Sequence, residues 1–146
     1  MIRLTDQPFD PGALLTAFAQ DRRETGAIAT FTGLARAELG QAEVLELEAY
    51  PGFTEREIGR IAEVARVRFS LDDLSVTHRV GRIGPGEAIV FVATAASHRR
   101  AAFEACDFLM DYLKSRAPFW KKEHGPEGPR WVEPRPEDYA DAARWD

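Results

Sequence analysis

The run Ala88 to Ala95, with IVFVATA at its centre, is apolar without alternation. A strand with one wet face alternates apolar and polar residues, so this run must be covered on both sides. It therefore calls for a central strand with material on each face, or a strand at a dimer seam. Just upstream, Gly84-Pro85-Gly86 places proline and glycine at the central positions of a type II turn. Just downstream, Ser97-His98-Arg99-Arg100 opens a strongly helical stretch through about Arg116, closed by Pro118, which disfavours helix at the residue before it.

The remaining elements arrange themselves around that core strand. Ile2 to Leu4 reads as a short strand, and Asp10-Pro11 as an N-cap and first-turn proline of a helix through about Gln20. Gly26 to Gly33, nearly uncharged and β-rich, predicts a buried strand, followed by Arg36 and a polar loop through Gly40. Val44 to Tyr50 alternates as a half-exposed strand should, and Pro51-Gly52 breaks it. Thr54 with Glu57 forms a capping-box pattern for a helix through about Arg68. Leu74 to Ile83 reads as one strand, and short strands are expected at Trp120–Glu123 and Arg130–Glu133. The order is β-α-β-β-α-β-β-α-β with two hairpin-like pairs and three main helices. Hairpins imply antiparallel pairing, so the expected fold is α+β with a mostly antiparallel sheet, in one compact domain over residues 1–146 with a polar tail from about 134 to 146.

The chain bounds its own function classes. With a net charge of −5 it lacks the basic excess of a general nucleic-acid binder. An anion site here must be local, set in an acidic surface. One cysteine excludes an intrachain disulfide and a Cys-rich metal site. His78, His98 and His124 lie without carboxylate or cysteine neighbours at ligand spacing, so no metal centre is expected. No apolar leader or membrane-length run is present, which predicts a cytoplasmic protein away from membranes. Cys106, among Ala102, Phe103, Leu109 and Met110, is expected to be a packed core thiol.

What remains is a set of cations at both ends of the long helix. His98 and Arg99 stand at its start, where free N–H groups favour an anion. Lys114 stands near its end, where a positive charge also complements the helix dipole without any further role. Lys121 and Lys122 follow in an extended segment and must face opposite ways, so only one can join Lys114; periodicity does not choose between them. Sixteen residues of helix separate His98 from Lys114 by roughly 24 Å, too far for both to grip one small ligand from one chain. Either there are two anion sites, or one site draws on two subunits.

Six blocks in order, GAIATFTGLAR, LELEAYPGFTEREI, THRVGRIGPGE, SHRRAAFEACDFLMDYLK, APFWKKE and RWVEPR, make the chain resemble the large, catalytic subunit family of molybdopterin synthase. Ala35 and Phe53 stand where that family more often has valine and methionine. The resemblance implies an α+β homodimer whose protomers each bind a small ubiquitin-like sulfur carrier, giving a heterotetramer. The carrier's Gly-Gly thiocarboxylate tail enters a pocket and gives up sulfur, twice, to cyclic pyranopterin monophosphate, with no metal or redox cofactor. By the same resemblance Lys114 and Lys121 are the catalytic lysines, which also chooses Lys121 over Lys122. Arg36, His98, Arg99 and Arg135 are then the substrate-binding cations, with His98 and Arg99 expected from the second protomer. Phe31 and Phe119 are candidates for the pocket lining or for ordinary core. Two other readings are a non-catalytic dimeric scaffold that binds an acidic protein tail, and a single-strand binder stacking bases on Phe119 and Trp120.

Overall fold

A computed structural model describes residues 1–36 and 44–146; the polar loop expected through Gly40 lies largely outside them. The described elements run β1 (Ile2–Thr5), α1 (Pro11–Ala19), β2 (Ala27–Leu34), β3 (Val44–Ala49), α2 (Phe53–Arg68), β4 (Asp73–Arg79), β5 (Gly81–Ile83), β6 (Ala88–Ala96), α3 (Arg99–Ser115), β7 (Phe119–Gly125), β8 (Gly128–Val132) and α4 (Pro136–Ala143). The class is α+β, but the strands form two four-stranded sheets rather than one. The first has the order β1-β4-β6-β2 and the second β5-β3-β7-β8. Only β1 and β4 run parallel. No helix among the described residues is long and apolar enough to cross a membrane.

The apolar run behaves as its pattern requires. It becomes β6, paired on both edges by β4 and β2, with Val90 to Ala96 buried. Helices α2 and α3 cover the face bearing Val90, Val92 and Thr94, through Ile58, Ala62, Ala65, Ala105 and Leu109. The Thr94 hydroxyl donates to the Ala102 carbonyl of α3 at 2.7 Å, which satisfies the polar atom in this wall. Cys106 lies in the same core, and burial, with Asp107 adding to it, pushes its thiol up to about 11. The turn before β6 closes as expected, with Glu87 N–H donating to Gly84 O and Gly86 at φ 84°. Asp10 caps α1 through its carboxylate, which accepts from Gly12 N–H at 2.9 Å.

Several local patterns were overridden by partners distant in the chain. The strand expected over Leu74 to Ile83 is broken after Arg79, because Gly81 at φ 81° turns the backbone and sends β5 into the second sheet. The expected β2–β3 hairpin does not form, since β2 pairs with β6 and β3 with β5 and β7. Nor is β2 wholly buried: as an edge strand it leaves Phe31 and Leu34 in the open. Thr54 does not cap α2. The helix starts at Phe53, and the buried Thr54 hydroxyl accepts from Tyr50 N–H and donates to the Pro118 carbonyl. That hydroxyl ties the start of α2 to the turn after α3, a tie between segments 64 residues apart.

The tail is a helix with its own anchor. Asp138 accepts from Arg135 N–H to start α4. Beyond α4, Trp145 stands edge-on to Phe69 and Phe108, and its indole N–H donates to Asp111 at 2.7 Å. Arg144 reaches Asp111 and Asp107, and Arg116 makes a two-point contact with Asp146. These contacts explain two of the acids in the middle of α3: Asp107 and Asp111 hold the tail rather than balance the cations.

Candidate active site

The two sheets do not pack flush, and a cavity of about 620 Å³ opens between them. Its walls come from the end of β2 (Phe31, Gly33, Leu34), from β3 (Leu45, Leu47) and from the last turn of α3 (Met110, Leu113, Lys114). Phe119 and Lys121 of β7 and Val132 of β8 close a second side, and Arg135 with Asp138 stands where the chain turns into α4. His78, at the end of β4, completes the lining.

Four of the expected cations therefore converge from one chain. Arg36 follows β2, Lys114 ends α3, Lys121 lies on β7 and Arg135 caps α4. The lysine alternative left open by periodicity is separated by sheet register. Lys121 pairs with Leu47 and Val132 and faces the cavity, whereas Lys122 pairs with Glu46 and Trp131 on the other face. There its ammonium lies 4.5 Å from the centre of the Trp131 ring, a cation–π contact. The same register puts Trp120 on the outer face as well. It is 52% exposed, on the outer face with Trp131, Tyr50 and Phe53. Phe119, one residue earlier, faces the cavity, so Phe119 and Trp120 do not share one stacking platform.

Electrostatics mark the cavity as built for an anion. Desolvation by the walls lowers the Lys114 pKa, and the nearby Lys121 and Arg135 charges lower it further against the pull of Asp138. Among the described residues neither Lys114 nor Lys121 forms an ion pair, and Arg135 meets Asp138 only at 3.7 Å. Lys114 and Lys121 repel one another, and a ligand with negative charge relieves that repulsion.

His98 and Arg99 stand apart. They are exposed at the start of α3, the full length of the helix from Lys114, and do not line the cavity of their own chain. His98 occupies the N-cap position without a side-chain capping bond. Phe31 and Phe119 both line the cavity; Phe31 is 41% exposed and Phe119 is stacked on His78. His78 was missed as a site residue. The only local signal was a histidine ending a strand just before a glycine break, and a spacing test for metal ligands does not detect that.

Comparison with known proteins matches the family model described as MoaE protein over residues 4–116. The molybdopterin synthase catalytic subunit of Caulobacter vibrioides is 70% identical over 146 residues, covering 100% of this chain and 97% of that protein. Among solved structures, the molybdopterin biosynthesis MoaE protein from Burkholderia ambifaria superposes with a TM-score of 0.85 at 46% identity, covering 99% of this chain and 97% of that one. The molybdopterin synthase structure from Staphylococcus aureus gives 0.79 at 26% identity, covering 88% and 94%.

Proposed function

Because the chain belongs to the MoaE protein family, we propose that it acts as the catalytic subunit of a molybdopterin synthase. In this reading the cavity receives the Gly-Gly thiocarboxylate tail of a small ubiquitin-like carrier and passes its sulfur to cyclic pyranopterin monophosphate. Two such transfers make the dithiolene of molybdopterin. The observation that carries the reading is the convergence of Lys114, Lys121, Arg36 and Arg135 on one cavity. Both reactants are anions, and among the described residues the two lysines have no carboxylate of their own to hold.

Each residue then has a part that its position favours. Lys114, on the rigid end of α3, holds and polarises the thiocarboxylate. In each transfer the thiocarboxylate sulfur attacks a pterin side-chain carbon as a C–O bond there breaks. Water then attacks the acyl carbon of the resulting thioester through an oxyanion, so that the carrier C–S bond breaks and the carrier leaves as a carboxylate. Lys121 stabilises that oxyanion or moves the proton that accompanies it. Arg36 and Arg135, both exposed at the cavity rim, take the pterin phosphate. His98 and Arg99, too far along α3 to reach their own cavity, serve that of a second copy in a homodimer. With one carrier on each protomer the assembly is a heterotetramer.

Reconstitution with a thiocarboxylated carrier and the pterin precursor tests this reading, with product formation as the readout. Lys121→Ala is expected to lower kcat by about a hundredfold or more, the scale of losing one oxyanion donor. Lys122→Ala, which loses only the contact with Trp131, should stay within about twofold. Equal losses in the two variants contradict the assignment. Carrier binding without product, with Lys121→Ala altering affinity alone, instead establishes the non-catalytic scaffold.

A further inference from the structure

The proposed chemistry leaves the buried histidine of the cavity unused. His78 is 6% exposed, the most enclosed titratable side chain in the lining. Its ring lies nearly flat on Phe119, with centroids 4.3 Å apart and planes at 21°. Its Nδ1 is 2.8 Å from the Arg79 carbonyl oxygen. A carbonyl only accepts, so Nδ1 carries the proton and Nε2 of the neutral ring keeps its lone pair. Burial, against the pull of the Arg79 carbonyl and helped by the Lys114 charge, lowers the imidazole pKa to about 4. The ring is thus neutral at any ordinary working pH.

The cavity's other polar groups are of two kinds. Lys114, Lys121, Arg36 and Arg135 have only donors. Its carboxylates are less enclosed, and two are engaged: Glu123 with Arg130 and Asp138 with the Arg135 backbone. On the cavity wall, then, stands a neutral acceptor with no donor turned to it among the described residues. A lone pair on the cavity wall that no protein donor meets can be met by a donor that a ligand brings.

We propose that His78 Nε2 accepts the last amide N–H of the carrier tail, fixing the terminal residue against the His78–Phe119 stack while Lys114 and Lys121 hold the sulfur end. This rests on the function proposed above. A thiocarboxylate anion offers no donor, and the nearest one in the tail is the N–H on the carbon next to the reacting centre. The pterin also carries N–H groups, but its phosphate is drawn to Arg36 and Arg135 at the exposed rim, which leaves the enclosed end to the tail. Two residues without side chains are also what a floor of flat stacked rings accommodates.

The test is a double-mutant cycle in the reconstituted reaction. The carrier is prepared with its native tail and with the last amide replaced by an ester, which removes the one N–H. With unaltered enzyme the ester is expected to lower kcat/KM about tenfold, the scale of a buried hydrogen bond. His78→Phe, which keeps a ring on Phe119, should lower it similarly with the native tail and make the ester cost nothing more. His78→Gln, which keeps an acceptor at similar reach, should recover most of the loss. Additive losses, or an ester without effect on unaltered enzyme, overturn the proposal and move the donor elsewhere, the pterin included. The ester arm needs no enzyme variant, so a poorly folded His78→Phe does not blunt the test. Absence of product from native carrier and unaltered enzyme would instead reject the proposed function itself.

Discussion

With Lys114 replaced by alanine, turnover in the reconstituted reaction is expected to fall by a hundredfold or more while the protein stays folded. Lys114 ends a helix whose buried face is made by Leu109, Tyr112 and Leu113, so removing its side chain leaves the core intact. Its charge costs the fold only slightly, because the residue stays exposed to solvent. The folded-state pKa lies below the ordinary lysine value, so the unfolded chain binds more protons in the window between the two. Below the lowered pKa the penalty is present in full, and it fades as pH rises through that window towards the ordinary value. Lys114→Ala should therefore show unchanged or slightly higher stability by urea titration near neutral pH. Activity runs the other way. The charged form holds the anion, so the rate should fall as pH rises through the lowered pKa, earlier than an ordinary lysine would dictate. Full activity in Lys114→Ala, read in the same assay, would sink the assignment.

Gly26→Ala is expected to be the most damaging change outside the cavity. A Cβ at Gly26 would stand 2.0 Å from the Ser97 carbonyl oxygen, backbone that cannot swing aside as a side chain can. Gly26 N–H also donates to Ala96 O at 3.0 Å, so the two segments are held together at that point. Relieving the overlap should cost about 1–3 kcal/mol or more and lower Tm by several degrees. The strain falls directly on the residue before His98 and Arg99. If those residues serve a second subunit, activity should drop by more than the loss of folded protein explains. Gly59→Ala is the matched control. It lies inside α2 with nothing within 4 Å of the added carbon, so it should stabilise by about 0.5–1 kcal/mol. Calorimetry on the pair reads the difference, and a Gly26→Ala protein as stable as the parent would show that Ser97 yields freely.

Features decided within a few residues were legible in the sequence. The Asp10-Pro11 cap, the Gly84–Gly86 turn, the buried Cys106 and the covered run at β6 each express a local rule that nothing distant opposes. Features decided by long-range pairing were not. Nothing near Thr54 announces that its hydroxyl will be claimed by the Pro118 carbonyl, and the capping pattern was overruled there. The division of Leu74–Ile83 between two sheets depends on where β3 and β6 lie, although Gly81 marks the break. Of the cations that line the cavity, Lys114 and Lys121 were singled out in the sequence through family resemblance, while alternation alone could not separate Lys121 from Lys122. His78 was hidden because its meaning comes from Phe119 and Lys114, which lie some 40 residues further along the chain.

The two sheets are unequally anchored. The first rests on the large core shared with α2 and α3, the second on Ala35, Leu47 and Ile83 with Leu45 and Ile89 packed around them. Local opening costs least where few apolar contacts must be given up, so the β7–β8 side belongs to a weaker cooperative unit than the β4–β6 side. Lys121 rides on the weaker unit and Lys114 on the stronger, through α3. An anion touching both lysines ties the two units together. On the proposed function, parting of the two units is how a peptide tail enters the cavity and leaves it once spent. The two lysines are joined in one frame only while a ligand lies between them.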